Sequence, residues 1–145
     1  MEILPYYRNI YYYETDRMNV VSHTNYIRWM EEARVSFLNN IGMPYHKIEE
    51  AGFMLPVLEV KCKYRRSLTF GDSFCIYSHI TEYNGFKMTI SYEIYNKDTK
   101  ALCASAQSYH CFTDENMKPT RISQKSPQLH DAFINAMEVT YSELK

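Results

Sequence analysis

TNYIRWMEEARVSFLNNI, residues Thr24 to Ile41, decides the architecture of this chain. Tyr26, Met30, Ala33, Phe37 and Ile41 recur every three or four positions, and Ile27 and Leu38 widen the stripe. That period belongs to a helix burying one face, here about five turns long. Ser22 or Thr24 can cap its first turn, and Gly42 before Met43-Pro44 supplies the stop.

Outward from this helix the period changes from 3.6 to 2. Upstream, residues 5–13 (PYYRNIYYY) are aromatic and β-favouring, which predicts a half-buried strand. Downstream, Leu58, Val60, Cys62 and Tyr64 alternate with Glu59, Lys61, Lys63 and Arg65. A turn over Leu68–Ser73 separates them from the next face, Phe74, Ile76, Ser78 and Ile80. Asn84-Gly85 predicts a hairpin, because both residues tolerate positive φ. Phe86, Met88, Ile90, Tyr92 and Ile94 form the returning face, and Leu102–Thr113 reads as a long strand. Ser126-Pro127 looks like an N-cap with proline at N1, opening a short helix that turns Leu129, Ala132, Phe133, Ala136 and Met137 inward. The expected fold is α+β, a five-stranded antiparallel sheet curled around the long helix. Such a sheet leaves edges to cover, so a homodimer or homotetramer is expected.

Composition bounds the function. The chain has 145 residues, 16 Lys+Arg against 17 Asp+Glu, and 14 tyrosines. One domain over residues 1–145 is the expected organisation. A net charge of −1 argues against nucleic acid as partner. No apolar run reaches membrane-span length and the start is no signal peptide, so a cytoplasmic protein is expected. Cys62, Cys75, Cys103 and Cys111 include no C-x-x-C pair, and each falls in a strand-like segment, which reads as reduced, partly buried thiols. The five histidines are scattered, so no metal site and no metal or redox cofactor is expected.

The chemistry concentrates in Tyr12–Tyr26, where an acid, a histidine and a helix N-terminus meet. Unpaired N–H groups and the helix dipole suit a carbonyl oxygen becoming an oxyanion. A nearby carboxylate can serve as nucleophile or as general base toward water. These parts suit acyl-transfer hydrolysis, although generic chemistry leaves other readings open. Asp16 taken alone reads as well as a turn or helix cap, His23 as a loop-orienting residue, and Tyr12 as an ordinary strand aromatic. Glu31 and Arg34 read as a helix-surface pair worth about 0.2–0.5 kcal/mol.

At these residues the sequence resembles the hotdog-fold acyl-CoA thioesterases of the 4-hydroxybenzoyl-CoA thioesterase type. There a Y-x-x-x-D segment leads through a glycine-containing turn and V-x-H/Y into N/S-Y at the start of the central helix. This chain supplies Tyr12, Asp16, Val21, His23, Asn25 and Tyr26 in register, then Glu31, Ala33 and Arg34 in an E-x-A-R pattern. Tyr64-Arg65-Arg66 and Gly71-Asp72 look like the family's second strand and following turn, so the likeness covers about residues 5–115. It implies the hotdog fold, active sites built between paired protomers, and hydrolysis of an acyl-CoA thioester. Asp16 is then the catalytic carboxylate, His23 the helix-start residue whose N–H polarises the carbonyl, and Tyr12 a lining residue. Met18-Asn19 departs from the usual glycines, and Asn19 is expected to keep the left-handed bend. Among the local cations, Lys61 and Lys63 read as a solvated strand face. Arg65 and Arg66 are expected to anchor coenzyme A phosphates, with only one of the two facing the ligand because neighbours on a strand point apart. An acyl-carrier-protein thioesterase and a non-catalytic acyl-CoA binding module are the rival readings.

Overall fold

A computed structural model of the chain describes residues 1–16 and 18–142. In order, the elements are β1 (Glu2–Ile3), β2 (Tyr6–Asn9), a 3-10 turn at Tyr12–Glu14, α1 (Thr24–Asn40), α2 (Tyr45–Glu50), β3 (Phe53–Met54) and β4 (Val57–Tyr64). They continue with β5 (Ser73–Tyr83), β6 (Lys87–Asn96), β7 (Leu102–Cys111), β8 (Thr113–Asp114), α3 (Ile122–Lys125), α4 (Pro127–Ala136) and β9 (Thr140–Tyr141).

The predicted five-stranded sheet forms in the order β2-β5-β6-β7-β4, antiparallel at every step. Its inner face carries Phe74, Ile76, Ile80, Ile90, Tyr92 and Ile94, all buried, as the two-residue alternation requires. Helix α1 lays Tyr26, Trp29, Met30, Ala33, Phe37 and Leu38 against that face. The Trp29 indole stacks on Phe74 with ring centroids 4.2 Å apart, at the centre of the contact. Replacing such a side chain with alanine costs about 3–5 kcal/mol in lost transfer energy and cavity formation. Helix α1 stops as its sequence dictates. Gly42 adopts φ +82°, the Met43 N–H donates to the Leu38 carbonyl at 2.8 Å, and the Gly42 N–H to that of Asn39 at 3.1 Å. Both bonds of a Schellman cap are therefore present.

Three local expectations are corrected, and the Asn84-Gly85 hairpin, which forms as predicted, is refined. The strand predicted over 5–13 ends at Asn9, because Tyr12–Glu14 curls into a 3-10 turn. Neither Ser22 nor Thr24 caps α1; the two hydroxyls lie 3.1 Å from one another, and His23 occupies the N-cap position without a side-chain bond. Only Gly85 takes positive φ in the β5–β6 turn, at +88°, while the Asn84 side chain accepts the Phe86 and Lys87 N–H groups. A Cβ on Gly85 would lie 2.7 Å from the Ser123 hydroxyl, so the position requires glycine on both counts. Finally, the strand expected over Leu102–Thr113 divides after Cys111, and β8 pairs with β3 instead.

The Ser126 side chain caps α4 as predicted, accepting from the Leu129 N–H at 3.4 Å. The four cysteines are free thiols within strands, three of them buried, and burial pushes the thiols of Cys62, Cys75 and Cys103 upward. Among the described residues, no helix is long and apolar enough to cross a membrane.

Candidate active site

The segment between β2 and α1 is a hairpin-like loop closed at its base. Thr15 and Val21 form an antiparallel bridge, and the Asp16 N–H donates to the Val20 carbonyl at 2.9 Å. The Asn19 N–H returns to the Asp16 carbonyl at 3.0 Å, with Asn19 at φ +62°. Asparagine thus makes the left-handed bend expected of it. The Asp16 carboxylate is exposed at the tip and accepts the Met18 N–H at 2.9 Å. One of its oxygens therefore stabilises the turn. The loop also pairs outward, since Val20 bridges Thr69 and the Val21 N–H donates to the Leu68 carbonyl at 2.8 Å.

Beneath the exposed tip lies a buried acid that the sequence reading passed over. Glu14 is 1% exposed. Arg8 grips both its oxygens, the Trp29 indole N–H donates to Oε2 at 2.8 Å, and the Tyr11 N–H donates to Oε1 at 2.8 Å. Burial raises the Glu14 pKa, but these donors outweigh it and hold the carboxyl below its ordinary range. The Glu14 backbone carbonyl accepts from the Ser22 N–H at 3.0 Å and the Asn25 side-chain amide at 2.9 Å. The available signal was an acid and an arginine flanking an aromatic run, with the chain's single tryptophan downstream. Periodicity hid it, because a strand continued through residue 13 would have left Glu14 unassigned to any face.

A cleft of about 220 Å³ opens beside the start of α1, lined by Val20, Val21, His23, Tyr26, Tyr64, Arg65, Arg66 and Ser67. Three sequence-predicted residues, His23, Arg65 and Arg66, therefore share one wall system. Asp16 and Tyr12 are not among the lining residues; the Asp16 N–H donates to the carbonyl of Val20, which is. The two arginines both line this cleft, while the Arg65 Nε donates to the Ser105 hydroxyl at 3.3 Å and Arg66 also borders a second cleft beside Thr99 and Leu102. Strand β4 has ended at Tyr64, and the Arg65 and Arg66 N–H groups both donate to the Cys103 carbonyl, at 2.8 and 3.1 Å. His23 is exposed and packs edge-on against Tyr64, whose hydroxyl donates to the His23 carbonyl at 3.2 Å. Tyr64, not singled out from the sequence as a site residue, thus ties the edge strand to the helix start. Tyr12 lies on the 3-10 turn rather than a strand, 73% exposed, with its ring edge-on to Phe70 at 5.6 Å. Arg34 is buried, and its Nε donates to the Tyr45 hydroxyl at 2.8 Å, while its Nη2 is 4.0 Å from Glu31. It is a core arginine more than half of a surface pair.

A five-stranded antiparallel sheet laid against one long helix, with an acid-bearing loop at that helix's start, is the hotdog architecture of thioester hydrolases. A model of the thioesterase-like superfamily matches residues 12–136, and the chain belongs to that superfamily. The protein named "Putative acyl-CoA thioesterase YneP" from Bacillus subtilis is 33% identical over 125 residues, which is 86% of this chain and 91% of that protein. The structure of the DHNA-CoA thioesterase from Staphylococcus aureus superposes with a TM-score of 0.83 at 25% identity, covering 91% of this chain and 89% of that one. A hypothetical protein from Aquifex aeolicus superposes with a TM-score of 0.79 at 31% identity, covering 90% and 99%.

Proposed function

We propose that this protein is an acyl-CoA thioesterase of the 4-hydroxybenzoyl-CoA type, its residues 1–145 forming one catalytic domain that hydrolyses an acyl-CoA to the free acid and coenzyme A. The observation that carries the reading is the cleft at the start of α1, where a helix N-terminus without a side-chain cap adjoins Arg65 and Arg66, with the Asp16 carboxylate exposed on the loop that leads into that helix. The thioester carbonyl oxygen is stabilised by the N–H groups at the His23 end of α1 as it gains charge. Asp16 either takes a proton from the attacking water or attacks the carbonyl itself. In the first case hydroxide adds, the tetrahedral intermediate expels the thiolate of coenzyme A, and the proton passes to that thiolate. In the second, the carboxylate displaces the coenzyme A thiolate to form an anhydride, and water cleaves the anhydride to the free acid and regenerated Asp16. In this reading the His23 imidazole assists at the cleft wall, Tyr12 lines the approach of the acyl group, and Arg65 and Arg66 anchor the phosphates.

Assembly as a homodimer or homotetramer fits the exposed edge strand β4, whose Val57, Leu58 and Tyr64 are solvent-facing. Four free thiols fit a cytoplasmic, reducing location. The test is release of free thiol by the purified protein from acetyl-, octanoyl- and benzoyl-CoA. Saturable hydrolysis of at least one supports the reading. Binding of all three without thiol release overturns it in favour of a carrier module.

A further inference from the structure

We propose that Glu14 is a positioning residue for hydrolysis, setting the carboxylate of Asp16 against the oxyanion-binding start of α1. This rests on the reading of Asp16 and the helix start as the working pair. Its ground is that Glu14 bonds in three directions at once, and each direction belongs to a different part of the site.

The side chain is locked from below. The Arg8 fork reaches up from β2, and the Arg8 Nε lies 3.0 Å from Glu32 on α1. The Trp29 indole N–H comes from the first turns of α1, and its ring is wedged on Phe74 of β5. The main chain of the same residue reaches the other way. Its carbonyl takes the Ser22 N–H just before the helix and the Asn25 amide within its first turn. Two residues further on stands Asp16, on a loop whose return limb ends at Ser22. Glu14 is therefore the point at which strand, catalytic loop and helix start are pinned to each other. Asp16 itself is exposed, and its backbone hydrogen bonds go to Val20 and Asn19 of its own loop. The distance of that loop from the helix is set through Glu14, beside the outward pairing of Val20 with Thr69 and of Val21 with Leu68.

Turnover responds to geometry on this scale, since a misplacement of about 1 Å can cost on the order of 100-fold in rate. Loss of the clamp moves the carboxylate relative to the oxyanion site but leaves the arginine-lined cleft in place. The expected signature is a fall in kcat with KM little changed. It is also non-additive with loss of Asp16, because groups that act as a unit cannot be lost twice.

The experiment is a double-mutant cycle on the full chain: Glu14→Gln and, separately, Trp29→Phe, each in the parent and in Asp16→Asn. Turnover is read as thiol release from whichever of acetyl-, octanoyl- and benzoyl-CoA the parent hydrolyses fastest. Folded fraction is fixed by circular dichroism. Glu14→Gln is expected to lower kcat about 10- to 100-fold with KM within about twofold, and to change the residual rate of Asp16→Asn by less than about twofold. Trp29→Phe removes one donor to the carboxylate, and the expected fall in kcat is about 3- to 10-fold. If Glu14→Gln does not fold, Trp29→Phe carries the test. The proposal is overturned if the folded variants keep kcat within twofold of the parent, or if they cut the rates of parent and Asp16→Asn by the same factor, as a general loosening would. A fully active Asp16→Asn instead overturns the underlying reading. An inactive Asp16→Asn beside unaffected Glu14→Gln and Trp29→Phe overturns only the positioning role.

Discussion

Glu14 and His110 are both 1% exposed, yet the first keeps its charge in the interior and the second gives it up. Around Glu14 stand a guanidinium fork, an indole N–H and a backbone N–H, enough donors to hold the carboxyl below its ordinary range despite burial. His110 sits on the inner face of β7, where Ser108 Oγ lies 2.7 Å from its Nε2 and 2.7 Å from the Tyr92 hydroxyl. Burial, reinforced by the nearby Arg34 cation, pushes its pKa down to about 4, so the imidazole is neutral near pH 7. An interior charge is costly unless fully bonded, and the base of the Asp16 loop supplies Glu14 with bonding that His110 lacks. The neutral cluster fills space beneath α1, while the charged one fixes the geometry of a loop.

The largest break in that contrast comes from Arg8→Met, which leaves the Glu14 carboxylate buried without its cation. We expect a loss of about 3–5 kcal/mol in urea unfolding, together with a fall in turnover of the folded enzyme. Next is acidification. His110 has its folded pKa depressed to about 4 against 6.5 when unfolded. The unfolded chain therefore binds more protons between those values, and stability is lost as pH falls from 6.5 toward 4, by on the order of 3 kcal/mol. In His110→Gln this part of the pH–stability curve should flatten. Glu14, also held below the ordinary carboxyl range, contributes stability above that range and loses it as pH falls through its folded value, a loss that Arg8→Met should diminish. Smallest is Ser108→Ala, expected to cost about 1–3 kcal/mol by leaving its partners unsatisfied, with turnover per folded molecule unchanged. An equal drop in turnover for Ser108→Ala and Arg8→Met would erase the distinction between the two clusters.

Most of the frame was legible because it rests on periodicity. Helix α1 ends within one residue of the stretch marked by its apolar stripe, and β5 and β6 follow their two-residue alternation. Of the candidate site residues, the structure brings part together. His23, Arg65 and Arg66 converge on one cleft, but the arginines do so because two N–H groups share the Cys103 carbonyl, a bond between residues far apart in sequence. Tyr11, Tyr12 and Tyr13 carry strand propensity yet leave the sheet, since Glu14 must turn inward to reach Arg8 and Trp29. That tertiary demand overrides local preference and has no periodic signature, which is why Glu14 itself went unread.

The most direct test of the account is the turnover of Asp16→Asn on the acyl-CoA that the parent hydrolyses fastest. Asp16 is exposed, and asparagine keeps an oxygen for the Met18 N–H, so the unfolding midpoint should match the parent. The account predicts a fall in kcat of about 100-fold or more with that midpoint unchanged. Turnover within twofold of the parent would contradict it.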